Sequence, residues 1–95
     1  MNPLDALGNP TRRKILNELQ RAPLPVGTLA TRFSRSRPAI SRHLRVLQDA
    51  GLVAPQERGT QNVYAVRVQG FAAVPEYIDG FWDVALSRLE ELAER

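Results

Sequence analysis

Cysteine is absent from this 95-residue chain, and histidine occurs once. The first absence excludes disulfides, thiolate metal sites and cysteine nucleophiles. No stretch approaches the ~18 consecutive apolar residues of a membrane span. Residues 1–10 hold no apolar run with a cleavage signal, so no signal peptide is expected and the cytoplasm is the expected location. No repeat, low-complexity segment or linker divides the chain, and residues 1–95 read as one small domain. No glycine loop suited to cradling phosphates is present, nor a carboxylate pair at useful spacing, so an enzyme has little support. Ser41 would need a base and an orienting group to act as a nucleophile, and nothing in the sequence supplies them.

Charge is present and unevenly placed. Residues 1–70 carry 11 basic and 4 acidic side chains, whereas residues 71–95 carry 2 basic and 6 acidic. Arg32, Arg35, Arg37, Arg42 and Arg45 fall within 14 residues that contain no acid. A solvated charged face is the bland reading of such a run, and an anionic partner is the sharper one.

Asn9 and Pro10 suit the N-cap and first position of a helix that runs to about Arg21, with Ile15, Leu16 and Leu19 on one face. Leu4 and Leu7 precede it in a short helical turn. Val26, Leu29, Ala30 and Phe33 recur at i, i+3, i+4 and i+7 and predict a second short helix. A three-residue turn, Ser34-Arg35-Ser36, leads to a third. Ser36 is its N-cap, Pro38 is tolerated in its first turn, and Ile40, Leu44 and Leu47 form its stripe. Gly51 ends it. Two short helices across so brief a turn form a helix-turn-helix.

Beyond Gly51 the period changes to 2. Residues 52–57 predict an edge strand broken by Pro55. Residues 58–61 are a hairpin tip, and residues 62–68 alternate with Tyr64, Val66 and Val68 on one face. Gln69-Gly70 is a turn. Pro75 is expected to open a last helix ending near Glu94. Tyr77, Ile78, Phe81, Trp82, Ala85 and Leu89 give that helix a wider apolar face than one small domain usually needs, which predicts a dimer interface in preference to plain intrachain core. Gly80 inside that helix costs ~1 kcal/mol, a cost that the close approach of a second helix would justify.

The expected fold is mainly α (α+β). It is a winged helix-turn-helix with about five helices and a two-stranded β-hairpin wing, dimerising through its last helix. Away from its apolar stripe, the third helix presents Arg37, Ser41, Arg42, Arg45 and Gln48. Arginine matches guanine bidentately in the major groove, and serine serves phosphate or base. The hairpin tip offers Arg58, Thr60, Gln61 and Asn62 to phosphates or the minor groove. Arg35, Ser36, Pro38 and His43 complete the candidate DNA-contacting set. A packed or capping role competes with phosphate contact at His43, and plain solvent exposure competes at Thr28 and Thr31. Arg12 and Arg13 fit either the DNA backbone or pairing with Glu18.

The chain resembles the ArsR family of bacterial transcriptional repressors. The resemblance rests on Leu7-Gly8-Asn9-Pro10-Thr11-Arg12-Arg13-Lys14-Ile15-Leu16, on Val26-Gly27-Thr28-Leu29-Ala30, and on residues 36–47 with their Ser-Arg-His-Leu core. Ala50-Gly51-Leu52-Val53, the Arg58-Gly59 wing and Tyr64 extend it, so it covers about residues 4–92. Ser36-Arg37-Pro38-Ala39-Ile40-Ser41 is similar to the family's small metal-free autorepressors. The resemblance implies a homodimer through the first and last helices, which adds Leu4 and Leu7 to the dimer interface, an inverted-repeat operator on double-stranded DNA, and repression by occupying a promoter. Pro25 departs from the family's usual Ser or Thr cap, and Arg35 from an apolar turn residue.

Metal-sensing members use cysteines on the DNA-binding helices or Asp/His and His/Glu sets on the last helix. Here Glu76, Asp79 and Asp83 form at best an all-carboxylate group. No cofactor, no transition metal and no membrane partner are expected. A second class of function, a winged helix that docks an acidic protein, shares the fold. Docking versions often carry exposed apolar residues on the third helix, where this chain has arginines.

Overall fold

The computed structural model describes residues 1–94. Two asparagine–proline pairs open the first two helices. Asn2 accepts from the Leu4 N–H at 2.7 Å and starts α1 (Pro3–Ala6). Asn9 accepts from the Arg12 N–H at 3.1 Å and starts α2 (Pro10–Arg21). In each, the proline occupies a first-turn position whose N–H would have no helical partner. α3 (Val26–Arg32) follows, its N-cap Pro25 giving no side-chain hydrogen bond. Proline has no side-chain oxygen to offer where the family's usual Ser or Thr would cap. Ser34 turns the chain with a φ of 51°, and Ser36 then caps α4 (Arg37–Asp49) by accepting from the Ala39 N–H at 3.3 Å.

Gly51, at φ 79°, ends α4 as expected. Its N–H bonds to the Gln48 carbonyl and that of Leu52 to the Leu47 carbonyl, both at 2.9 Å, a Schellman closure that needs a left-handed residue. β1 (Val53–Arg58) and β2 (Gln61–Val66) pair antiparallel, with Val53 opposite Val66 and Arg58 opposite Gln61. The loop is Gly59-Thr60, and Gly59 has the positive φ that a two-residue hairpin turn demands at its first position. Pro55 is accommodated because this sheet has only two strands and β1 keeps a free edge.

The core lies where α2, α3 and α4 meet the base of the hairpin. Ile15, Leu29, Ile40, Leu44, Leu47, Leu52 and Val53 are its largest fully buried side chains. Each contributes about 1.5–3 kcal/mol of transfer free energy. The stripes expected on the three helices supply most of them. Leu24 adds a tie that the sequence pattern did not reveal. It exchanges backbone hydrogen bonds with Tyr64 at 2.8 and 3.1 Å and so pins the wing to the α2–α3 connection. Pro23 and Pro25 hold Leu24 extended for this bridge.

Two expectations change after the hairpin. Tyr64 and Val66 do pack against the core, yet Val63 and Ala65 on the opposite face are buried too. Val68 does not share the strand face. It begins a 3-10 turn (Val68–Phe71) and is 77% exposed. The Arg67 N–H still donates to the Leu52 carbonyl at 2.8 Å, in register with the Val53–Val66 pair, and the 3-10 turn begins directly after it. α5 (Ala73–Ala93) then starts two residues before Pro75, which falls in its first turn. None of its residues is buried, and it gives the molecule an extent of 65 Å against 25 and 23 Å in the other directions. No described helix is long and apolar enough to cross a membrane.

Candidate nucleic-acid interface

α4 sinks Ile40, Leu44 and Leu47 into the core, and helical geometry turns the remaining positions outward. Ser41, Arg42, Arg45 and Gln48 are exposed on that outer face, and Ser36, Arg37 and Pro38 are exposed at its start. The wing tip carries Arg58, Thr60, Gln61 and Asn62 into solvent. The candidate site thus has an arginine-bearing helix supported by α3 and a slender hairpin that packs on α2.

The five arginines of the acid-free run do not behave alike. Arg32 bonds Glu18 of α2 at 2.6 Å, the single ion pair among the described residues. Acids distant in sequence can neutralise such a run, which local spacing does not show. Arg35 reaches back to the Thr11 hydroxyl at 3.5 Å. Arg37 lays its guanidinium across Gly27 of α3. Arg42 and Arg45 remain on the exposed face of α4.

Neither reading of Arg12 and Arg13 describes their contacts within the chain. The Arg12 Nε donates to the Ala6 carbonyl and an Arg13 Nη to the Leu7 carbonyl, both at 2.7 Å. These bonds satisfy carbonyls at the end of α1 and clamp it to α2. Thr31 donates its hydroxyl to the Gly27 carbonyl at 3.1 Å, within its own helix. His43 is half-buried at the edge of the apolar stripe. Its pKa is lowered below 6.5, first by burial and then by Arg12, Arg35 and Arg42. Thr11 and Arg12 therefore border the candidate surface, brought there by packing of α2 against α4.

The expected dimer residues divide in two. Leu4 and Leu7 are half-buried within the protomer, Leu7 against the core. Tyr77, Ile78, Phe81, Trp82, Ala85 and Leu89 are exposed along α5. Tyr77 and Phe81 stack edge to face at 5.1 Å between ring centroids. A Cβ on Gly80 would meet nothing within 4 Å, so packing inside the protomer does not call for that glycine.

A model for a helix-turn-helix domain matches residues 7–56. The regulator Rv2034 of Mycobacterium tuberculosis is 43% identical over 89 residues, 94% of this chain and 83% of that protein. The transcriptional repressor SdpR of Bacillus subtilis is 35% identical over 65 residues, 68% of this chain and 72% of that protein. An ArsR-like transcriptional regulator from Rhodococcus superposes with a TM-score of 0.74 at 37% identity, over 96% of this chain and 86% of that one. The homodimeric winged helix-turn-helix DNA-binding domain of Mb0332 from Mycobacterium bovis, a possible ArsR-family regulator, gives 0.66 at 26% identity, over 83% and 73%. These relatives are regulators and not enzymes. The five helices, the two-stranded wing and these likenesses agree, and the chain belongs to the ArsR family of winged helix-turn-helix transcriptional regulators.

Proposed function

We propose that this DNA-binding regulator is a homodimeric repressor of its own or a neighbouring operon, working in the cytoplasm without sensing a transition metal. Residues 1–95 act as one winged helix-turn-helix domain with dimerisation helices at both ends. The observation that carries the reading is the exposed face of α4, where Arg42 and Arg45 stand free of acidic partners. Arg42, Arg45 and Ser41 read base edges in the major groove. Arg35, Ser36, Pro38 and His43 border that groove. Arg58, Thr60, Gln61 and Asn62 reach phosphates or the minor groove.

The apolar face of α5 supports the dimer. Tyr77, Ile78, Phe81, Trp82, Ala85 and Leu89, with Leu4 and Leu7 of the first turn, would be covered by a second copy. The homodimeric Mb0332 domain is a precedent for this assembly. Two-fold symmetry then predicts an inverted repeat with half-sites ~10 bp apart or a multiple of that. SdpR, a repressor by name, supports the direction of control. Lack of cysteine and a single histidine support metal independence.

The test is an anisotropy titration on the DNA upstream of the protein's own gene and on a scrambled duplex, at two salt concentrations. A specificity ratio of ~10³ or more is expected at physiological salt, unchanged by zinc or chelator. Weak, steeply salt-dependent binding that is equal on both duplexes would leave the arginines only a general attraction for DNA.

A further inference from the structure

The acid-free arginine run gives Arg37 the same expected role as its neighbours. Its surroundings differ from theirs. A Cβ built on Gly27 would overlap the Arg37 guanidinium, meeting Cζ at 3.0 Å and Nε at 3.2 Å. The side chain therefore turns away from the outer face of α4 and runs over the bare Cα of α3. There it lines a groove of about 510 Å³ together with Thr28, Thr31, Gln61 and Asn62. The groove lies between the start of α4 and the base of the wing tip. Its lining holds one cation, two hydroxyls and two carboxamides, and no acid.

We propose that this groove seats a phosphodiester of the DNA backbone, with Arg37 as its ligand and Gly27 as the residue that positions Arg37. The inference rests on the reading of α4 as the major-groove helix. A helix in the major groove and a hairpin over the adjoining minor groove have one sugar–phosphate strand between them. The groove occupies that intervening place. A guanidinium suits phosphate by charge and by its paired N–H groups, and the hydroxyls and amides supply neutral donors. Base reading then falls to Arg42 and Arg45.

Glycine at position 27 follows from the same geometry. Gly27 is helical and has no positive φ, so alanine fits its backbone and is preferred there by ~1 kcal/mol. Only the guanidinium opposes a side chain. Gly27→Ala therefore displaces Arg37 without unfolding the protein.

The experiment compares wild type, Gly27→Ala, Arg37→Ala and the double variant, each titrated on operator and scrambled duplex over a salt series and melted in parallel. Arg37→Ala is expected to lose on the order of tenfold on both duplexes and to lower the salt slope by about one. Gly27→Ala should melt no lower than wild type yet show most of the same loss. The double variant should bind no worse than Arg37→Ala, the non-additivity of two changes acting through one contact. Wild-type affinity in Gly27→Ala would overturn the positioning role. A loss by Arg37→Ala on the operator alone would overturn the phosphate role. Absence of DNA binding by the wild type would overturn the DNA reading itself, and the inference with it.

Discussion

Gly70 lies against the backbone of Gly51 so closely that a Cβ on it would overlap the Gly51 carbonyl oxygen and stand 2.7 Å from the carbonyl carbon. The 3-10 turn at the foot of α5 thus rests on the turn that ends α4. Backbone cannot swing aside as a long side chain can. Gly70→Ala is expected to destabilise the protein by about 1–3 kcal/mol, as overpacking does. A domain of this size should melt roughly 4–8 °C lower for each kcal/mol. Thermal melts of Gly70→Ala and Gly27→Ala make the comparison, since only the end of a flexible side chain opposes a Cβ at Gly27. Equal midpoints would remove the close approach as a constraint.

Arg42 and Arg58 should fail in different ways. Arg42→Ala should weaken operator binding by ~1–3 kcal/mol and leave the scrambled duplex nearly unaffected, the pattern of a base-edge contact. Arg58→Ala should weaken every duplex and reduce the salt slope by about one. Competition titrations at several salt concentrations separate the two. Equal loss on both duplexes would turn Arg42 into a phosphate ligand, and an unchanged slope would take Arg58 out of the interface.

Trp82 is the only tryptophan and is 62% exposed in the protomer. In a dimer built on α5 its emission should move to shorter wavelength as concentration rises. Phe81→Glu places a charge in the middle of that face. It should weaken dimerisation by roughly 2 kcal/mol or more and hold the emission red-shifted. Sedimentation and fluorescence across a dilution series check both. A wild-type protein that stays monomeric at high concentration would refute the interface.

His43 should make stability depend on pH. Burial, then Arg12, Arg35 and Arg42, lower its pKa below 6.5. The folded state therefore binds this proton less readily than the unfolded chain does. Its contribution is complete above the unfolded value and is lost as pH falls below ~6.5 through the folded pKa. Melting midpoints from pH 7.5 to 5 should fall more for wild type than for His43→Gln. Parallel profiles would show that His43 titrates alike in both states.

Much of the fold was legible because its signals are local. Asn9 before Pro10, Ser36 before α4, Gly51 after it and the stripe of Ile40, Leu44 and Leu47 each act within a turn or two of chain. The outward face of α4 follows from the same period, so Arg42 and Arg45 could be placed from spacing alone. The exposed apolar face of α5 was equally plain from its spacing. Tertiary packing decided what depends on residues far apart in sequence. It gave Arg32 to Glu18, drew Arg35 to Thr11, laid Arg37 over Gly27, and tied Leu24 to Tyr64. It also set Gly70 on Gly51 and placed Val68 in a 3-10 turn. Periodicity records which side of an element faces the core. Which partner a long side chain or a bare Cα meets across the fold depends on how the elements pack, and no single element's pattern contains that.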